Sequence, residues 1–535
     1  VDMNYRETAV PPRTSATAGF DPSPLLEIAQ RIREPLYIVR NQDGRLGAST
    51  RPPDFTTERL EPVATLPPLY PEWLGDRSFQ EAHGCRFAYV AGEMARGIAT
   101  PAMAVAAARA GLLGFYGSAG LSPQRVQEGI GEIRAALGPQ ASGWGANLIH
   151  SPNDPALETA VCRLFLQQGV RRVSASAFMA LTPSVVELAA KGLSRDPATG
   201  AVRRLTHIFA KVSRAEVARQ FMAPAPQRML ADLVAQGILT ADEADLAAAI
   251  PVAEDITVEA DSGGHTDNRP LTVLFPIIQR LRDEMVAAHG YDRNIRVGAA
   301  GGLGTPVALA GAFAMGAAYV VIGSVNQSAA EAGQPLSVRR MLADISSTDV
   351  TMAPAADMFE MGVKVQVMKR GTMFPFRAQR LYELYRRHSG LDDLPAAERA
   401  TLERDIFQAP LEEIWRQTSE HFAVRDPAEL ARAEADPRHR MALVFRWYLF
   451  NAARWPMLDD GARRHDFQVW CGPAMGAFND WVKGSFLEAA DKRTVEQIAR
   501  NLLEGAAVVT RAQQMRSVGL PVPAAAFTWV PRRLA

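Results

Sequence analysis

Cysteine is scarce in this chain. Cys85, Cys162 and Cys471 are its only three in 535 residues, with no spacing that suits a metal or a disulfide framework, so no metal site is expected. Also missing is any run of about 18 apolar residues, and no membrane span is expected. Net charge is absent as well, because 58 Lys and Arg balance 58 Asp and Glu. That removes any electrostatic case for nucleic acid or an anionic membrane surface. The first stretch, VDMNYRETAVPPRTSATAGF, lacks the basic-then-apolar layout of a secretory signal. With so little cysteine, a reducing cytoplasm is the expected location. No GxGxxG occurs around Gly301, which counts against a Rossmann dinucleotide domain.

Proline and glycine are plentiful and patterned. Thr100-Pro101, Ser122-Pro123, Asp154-Pro155, Thr182-Pro183 and Thr305-Pro306 each set a capping side chain before a proline. A helical pattern follows each, closed near Gly111, Gly138, Gly169, Gly192 or Gly316. Proline at entry and glycine at exit is the asymmetry of helices. Eight apolar runs of strand length complete the alternation: FAYVA, LLGFYG, WGANLI, RRVSASAF, HIFAKVS, ITVEAD, RVGAA and AAYVVIG. Alternation in that number predicts an α/β fold, a parallel (β/α)8 TIM barrel.

Three regions follow. Residues 1–85 read as an N-terminal appendage with a hairpin turning at Asn41–Gly44. Residues 86–376 hold the barrel, with a helical insertion after strand 5 at about 214–250, its second helix capped at Thr240. So long a connection is expected to lie over the active face as a lid. Residues 377–535 read as a mostly helical region packed on the barrel, with Thr494 and Gln497 spaced as a capping box and a strand ahead of it at 362–368. Trp415, Trp447, Trp455, Trp470 and Trp481 are expected in its core.

Chemistry concentrates between Ile256 and Ser324. Gly263-Gly264, Gly301-Gly302 and Gly323 place bare backbone where strands end, and Thr305-Pro306 starts a helix at the same place. Glycine lets a ligand approach closely, and a helix N-terminus favours an anion, so a phosphate is expected after the last two strands. In ITVEAD, Thr257, Glu259 and Asp261 are expected to face inward. His265 then stands near the catalytic rim, as a general acid or base, or else as a loop histidine that caps a helix.

The motif DSGGH resembles the EAGGH of flavin-dependent enoyl-acyl-carrier-protein reductases and nitronate monooxygenases, and AAGGLGTPVALAGAFAMGAAYVVIGS resembles their FMN-phosphate segment. VAGEMARGIAT, WGANLIHSP, VSASAFMALTP, FAKVSRAEVA, PAADMFEMGVKVQVMKRGTMFP and RAQRLYELY extend the match to the trans-acting enoyl reductases of polyunsaturated-fatty-acid and polyketide synthases. Asp261-Ser262 departs from the wider Glu-Ala. The resemblance implies FMN as cofactor and NADPH as reductant. An acyl carrier protein bearing an enoyl-phosphopantetheine would be the partner, alongside other synthase subunits, and a homodimer is compatible with it. It further implies that Gly92, Glu93 and Met94 lie along the isoalloxazine and that Asn147 contacts the flavin. Gly301, Gly302, Gly323 and Ser324 would hold the phosphate, and Gly263 and Gly264, whose bare backbone lets a ligand approach, are further cofactor-binding candidates. His265 would be catalytic. Lys211 could stabilise the reduced ring, or else be a solvated rim lysine. The run Lys364, Lys369, Arg370, Arg377 and Arg380 could meet a carrier protein or a dinucleotide phosphate, or form a solvated basic face. Nitronate oxidation and a non-catalytic scaffold are the alternatives. A phosphate barrel with a cysteine nucleophile is disfavoured because none of the three cysteines falls on an active-face loop.

Overall fold

The computed structural model describes residues 18–534, apart from 54, 56, 57, 153 and 294. The first seventeen residues of the expected appendage lie outside these. Contacts divide the chain into two compact units, one of Val1–Trp73 with Leu503–Trp529 and the other of Leu74–Leu502 with Val530–Ala535.

In the first unit, Leu36–Arg40 and Leu46–Ser49 form the expected antiparallel hairpin, and Glu61–Leu66 pairs on the other side of Leu36–Arg40. The turn is tied by the Gly44 N–H to Asn41 O at 3.0 Å and the Arg45 N–H to Asn41 Oδ1 at 2.9 Å. Its core joins Leu25, Leu36 and Ile38 to Ala512, Met515 and Leu520. Inside it, Glu504 takes the Arg33 guanidinium.

The second unit contains the barrel. We label its strands β1 (Tyr89–Ala91), β2 (Leu113–Tyr116), β3 (Trp144–Ile149), β4 (Arg172–Ser176), β5 (His207–Val212), β6 (Asp255–Glu259), β7 (Arg296–Ala300) and β8 (Val320–Ile322). All neighbours pair in parallel, and β8 closes on β1. Each expected run supplies one strand. The helices between them form for the anticipated reason. Thr100, Ser122, Asp154, Thr182 and Thr305 each accept a bond from a first-turn amide, with proline at the start of each helix. One such bond satisfies a donor that the helix leaves open, worth about 1 kcal/mol.

The insertion lies at the other end of the barrel from the expected lid position. After β5 the chain first completes its ordinary barrel helix, Ala215–Met222, and only then adds Gln227–Ala235 and Ala241–Ala247 before β6. Those two helices therefore belong to a helix-to-strand connection, beneath the N-terminal ends of the strands. Glu243 pins them there by accepting from the Gly192 N–H at 2.7 Å and from Lys191 at 3.2 Å, at the exit of helix Pro183–Ala190. The Thr240 cap is present, as a full capping box with Glu243.

Two strands beyond β8 join Gly264–His265, from the loop after β6, in a further small sheet, in the order Gly264–His265, Lys364–Met368, Val350–Pro354. Helices Phe374–Arg387, Leu411–Arg425, Pro427–Ala435 and Pro437–Arg454 follow. Val365, Val367, Phe374, Leu381, Phe445 and Tyr448 share their core with Cys471 and Met475. At Thr494 the cap is made, to the Gln497 N–H at 3.2 Å, but the reciprocal half of the box is not. The Gln497 amide bonds Leu534 instead, at 2.7 and 3.1 Å.

Candidate active site

The C-terminal ends of the strands carry a connected polar floor. Lys211, on β5, reaches Glu93 Oε1 at 3.1 Å and Glu259 Oε1 at 3.0 Å. Glu93 Oε1 also accepts from Ser174 and Ser176, on β4, at 2.8 and 3.1 Å. Burial works against the Lys211 charge, but Glu259 and Glu93 outweigh it and raise its pKa. Lys211 is thus neither a solvated rim lysine nor a free cation, since two carboxylates share it. Asn147, on β3, is buried, and its amide group donates to Ser174 O at 3.0 Å and Ser176 Oγ at 2.8 Å. Met94 is buried, and its carbonyl accepts from the Ala99 N–H at 3.1 Å. Gly92 sits where a Cβ would press on Val321 at 2.8 Å, so the β1–β8 seam needs it.

Beside this floor the glycines separate into two kinds. Gly301, at φ 87°, would drive a Cβ into the backbone of Ala260 at 2.7 Å, and Gly263 would meet the backbone of Cys471 at 2.9 Å. These two permit close packing of chain on chain. Gly302, Gly323 and Gly264 face open space, with nothing within 4 Å of an added Cβ. Among the described residues, the N–H groups of Gly302 and Gly323 have no protein acceptor. Two unsatisfied amides with clearance around them, from the adjacent β7 and β8 loops, suit a phosphate. Ser324 is engaged otherwise: its Oγ accepts from the Gly472 N–H at 3.0 Å.

His265 is brought to this face by pairing with Val365 in the second sheet. Its Nε2 lies 3.1 Å from Asp357 Oδ2. Burial pushes the imidazole pKa down, but the bond and charge of Asp357 prevail and raise it. Burial likewise opposes ionisation of Asp357, and His265 overcomes it, holding that carboxyl below the usual range. The loop bearing Asp357 is anchored from behind. Arg446 donates to Ala356 O at 2.9 Å, and His439 bridges Glu360 and Glu429 at 2.8 and 3.0 Å. Asp261, expected to face into the barrel, lies past the end of β6. It accepts from Gln366 at 2.7 Å and Asn268 at 3.0 Å, fastening the His265 loop to the second sheet.

Comparison with known proteins identifies the family. The chain is 36% identical to the enoyl reductase domain of MlnA from the macrolactin cluster of Bacillus amyloliquefaciens, with a TM-score of 0.79, covering 83% of this chain and 99% of that one. This chain belongs to the enoyl reductase family of polyunsaturated-fatty-acid and polyketide synthases. Among curated members it is 44% identical to a subunit of the polyunsaturated fatty acid synthase of Thraustochytrium sp., over 93% of this chain and 33% of that protein. It is 42% identical to the polyketide biosynthesis protein PksE of Bacillus subtilis, over 84% of this chain and 58% of that one. The chain thus spans a third to somewhat over half the length of these curated relatives. Residues 388–467 match the model of the inserted helical domain of [acyl-carrier-protein] S-malonyltransferases.

Within this enoyl reductase family member, several groups at the site carry no sequence signal of their own. Asp357 and Gln366 fall in the PAADMFEMGVKVQVMKRGTMFP stretch, and Gln366 in the expected strand 362–368, but nothing in their spacing marks either as a site residue. Trp470-Cys471-Gly472 lies among helices, yet its backbone packs on Gly263. Cys471 is therefore on the active face after all. Its thiol is fully buried, burial pushes its pKa up, and it donates to Gly472 O at 3.4 Å, so it is no nucleophile. Of the basic run, Arg370, Arg377 and Arg380 pair with Asp349, Asp466 and Glu398, whereas Lys364 and Lys369 are exposed and, among the described residues, in no ion pair. At the far end of the barrel, His83, His207 and Asp255 are close enough to hold a metal ion. Arg296 already takes both Asp255 oxygens, at 2.6 and 2.7 Å.

Proposed function

We propose that this protein reduces the α,β double bond of a carrier-bound trans-2-enoyl thioester, with FMN as resident cofactor and NADPH as reductant. The single observation that supports this best is the pairing of features on one barrel face. Open glycine amides at Gly302 and Gly323 share the C-terminal face of the barrel with a histidine held by a carboxylate. The fit of FMN rests on those amides and on the clearance at Gly264. Gly92, Glu93, Met94, Asn147 and Lys211 would line the ring side, and Gly301 and Ser324 would complete the phosphate loops. A flavin bound there would supply two-electron transfer between the nicotinamide and the β-carbon.

The chain's own residues account for the rest. His265 Nε2 is committed to Asp357, so Nδ1 is the ring nitrogen left to deliver a proton to the α-carbon. The imidazolium is the form that can donate, and Asp357 favours it. The Trp470–Ala474 segment packs against Gly263 and Gly304 and excludes water from that side. The balance is one enoyl thioester, one NADPH and one proton giving the saturated thioester and NADP. An acyl carrier protein with its phosphopantetheine arm, and other synthase subunits, are the partners this reading requires.

The test is flavin extraction coupled to an NADPH oxidation assay with and without a crotonyl thioester. Yellow protein and thioester-dependent oxidation are expected. Oxygen-dependent turnover of a nitronate with no thioester reduction would favour the nitronate alternative, and colourless inert protein would favour a scaffold.

A further inference from the structure

Arg96 stands out on two independent counts. Its backbone is at φ 58°, in the left-handed region that a non-glycine residue rarely occupies. The conformation is imposed by a tight turn after β1, in which the Arg96 N–H donates to Ala119 O at 2.8 Å and the Gly97 N–H to Gly117 O at 2.9 Å. Its side chain is also half-buried and, among the described residues, has no ion-pair partner. Burial lowers its pKa, and Asp357, already bonded to His265, opposes this only through its field. Among the described residues no carboxylate lies within ion-pair distance of Arg96 and no side-chain hydrogen bond is made. The fully buried arginines of this unit differ. Arg296 grips Asp255, Arg172 donates to His83 O at 3.0 Å, and Arg493 donates to Leu487 O at 2.8 Å. One face of the Arg96 guanidinium is covered by the Trp470 indole, 5.4 Å to the ring centroid. Its donor-bearing edges are what remains for a ligand. A half-buried guanidinium held flat on an indole, with no counter-charge and its donor edges open, is a place where an anion can be taken up.

We propose that Arg96, stacked on Trp470, forms an anion subsite for the phosphate of an incoming reactant, separate from the backbone cradle of the β7 and β8 loops. The planar fork of a guanidinium matches two phosphate oxygens, and the indole fixes its plane. The ligand class is a phosphate-bearing arm that enters beside the His265–Asp357 pair. Two reactants carry one: phosphopantetheine through its phosphate, and NADPH through its 2′-phosphate. This inference rests on the enoyl reductase reading for those two names, but not for the anion site itself.

The test uses the full chain with Arg96→Gly and Arg96→Lys. Glycine suits the positive φ, so the fold is retained while the guanidinium is lost. NADP and phosphopantetheine are titrated calorimetrically against NAD and pantetheine, and KM is measured for NADPH against NADH and for crotonyl-phosphopantetheine against crotonyl-pantetheine. The expected result is a rise of about 10- to 100-fold in the Kd and KM of one phosphate-bearing member relative to its phosphate-free counterpart, partly restored by lysine. A ratio moved only for the dinucleotide assigns the subsite to NADPH, and one moved only for the pantetheine pair assigns it to the carrier arm. Equal losses for both members of each pair, no change in either ratio, or loss of bound flavin would overturn the proposal. The titrations need no turnover. A wild-type protein that binds these phosphates through Arg96 yet reduces no enoyl thioester would sink the functional reading and leave the anion site standing.

Discussion

Replacing Asp357 with asparagine isolates what the carboxylate does for His265. The substitution keeps a hydrogen-bonding group at the 3.1 Å position and removes its charge. A hydrogen bond with a charged partner contributes about 1.5–3 kcal/mol and a neutral one about 0.5–1.5. The His265 side chain is 35% exposed and that of Asp357 49%, so solvent screening trims the difference to about 1 kcal/mol. That predicts a roughly fivefold slower proton-dependent half-reaction for Asp357→Asn. His265→Ala should lose ~10²–10⁴, the contribution of a positioned general acid. Stopped-flow absorbance would separate reduction by NADPH, expected unchanged in both variants, from reoxidation by an enoyl thioester. Direction with pH is the sharper readout. Burial alone would depress the His265 pKa, and Asp357 raises it above the ordinary value. The variant should therefore lose its imidazolium at lower pH, moving the alkaline limb of the reoxidation profile to lower pH. Stability follows the same sign: the pair's contribution is full below the unfolded histidine value of about 6.5 and is lost as pH rises through the raised folded value. Wild-type melts should show that loss, and Asp357→Asn melts should show less of it. An unmoved limb with an unchanged reoxidation rate would refute the account and return His265 to the role of a loop residue.

Other consequences are open to simpler assays. Gly302→Asp brings a side chain and a like charge into the open space of the proposed phosphate cradle, so the protein should purify without flavin colour; full occupancy would remove the cradle. Truncation after Arg377 removes Phe445, Tyr448 and Leu449, all fully buried with Val365 and Val367, each such side chain worth about 1.5–3 kcal/mol. Insoluble or flavin-free protein is expected, and a soluble, active truncation would show the region to be an independent module. Lys211→Met leaves Glu93 and Glu259 facing each other without their shared cation, so flavin retention and thermal stability should both fall. An unchanged melting temperature would mean that solvent already satisfies those carboxylates.

How much was legible in the sequence depended on the range of the interaction. The barrel was readable because each of its signals is local. Thr305 caps its own helix through Ala308, and Gly316 follows two residues past the helix's last residue, Ala314. Repeated five times, that grammar leaves few alternatives. The glycine loops at the ends of β7 and β8 were readable for the same reason, although glycine content alone did not distinguish Gly302, which faces open space, from Gly301, which is pressed on Ala260. The lid expectation failed because length signals an insertion but not which end of the barrel receives it. That is decided by whether the regular helix comes first, and Ala215–Met222 does. Asp357 was illegible since nothing near it in the chain needs a carboxylate; its meaning comes from a histidine 92 residues earlier.

The same distinction explains how the second sheet and the following helices bear on the site. A two-residue strand such as Gly264–His265 cannot hold its own register. It is held by Lys364–Met368, whose buried valines lie in the core with Phe374 and Tyr448. Arg446 and His439, both within residues 388–467, then fasten the loop that bears Asp357. A barrel alone could present His265 on a flexible loop, but it could not set the imidazole against a carboxylate. On this reasoning the helical segment acts on the chemistry from behind, through the position of Asp357. Substitutions at Arg446 should accordingly resemble Asp357→Asn in their pH behaviour while leaving flavin binding intact.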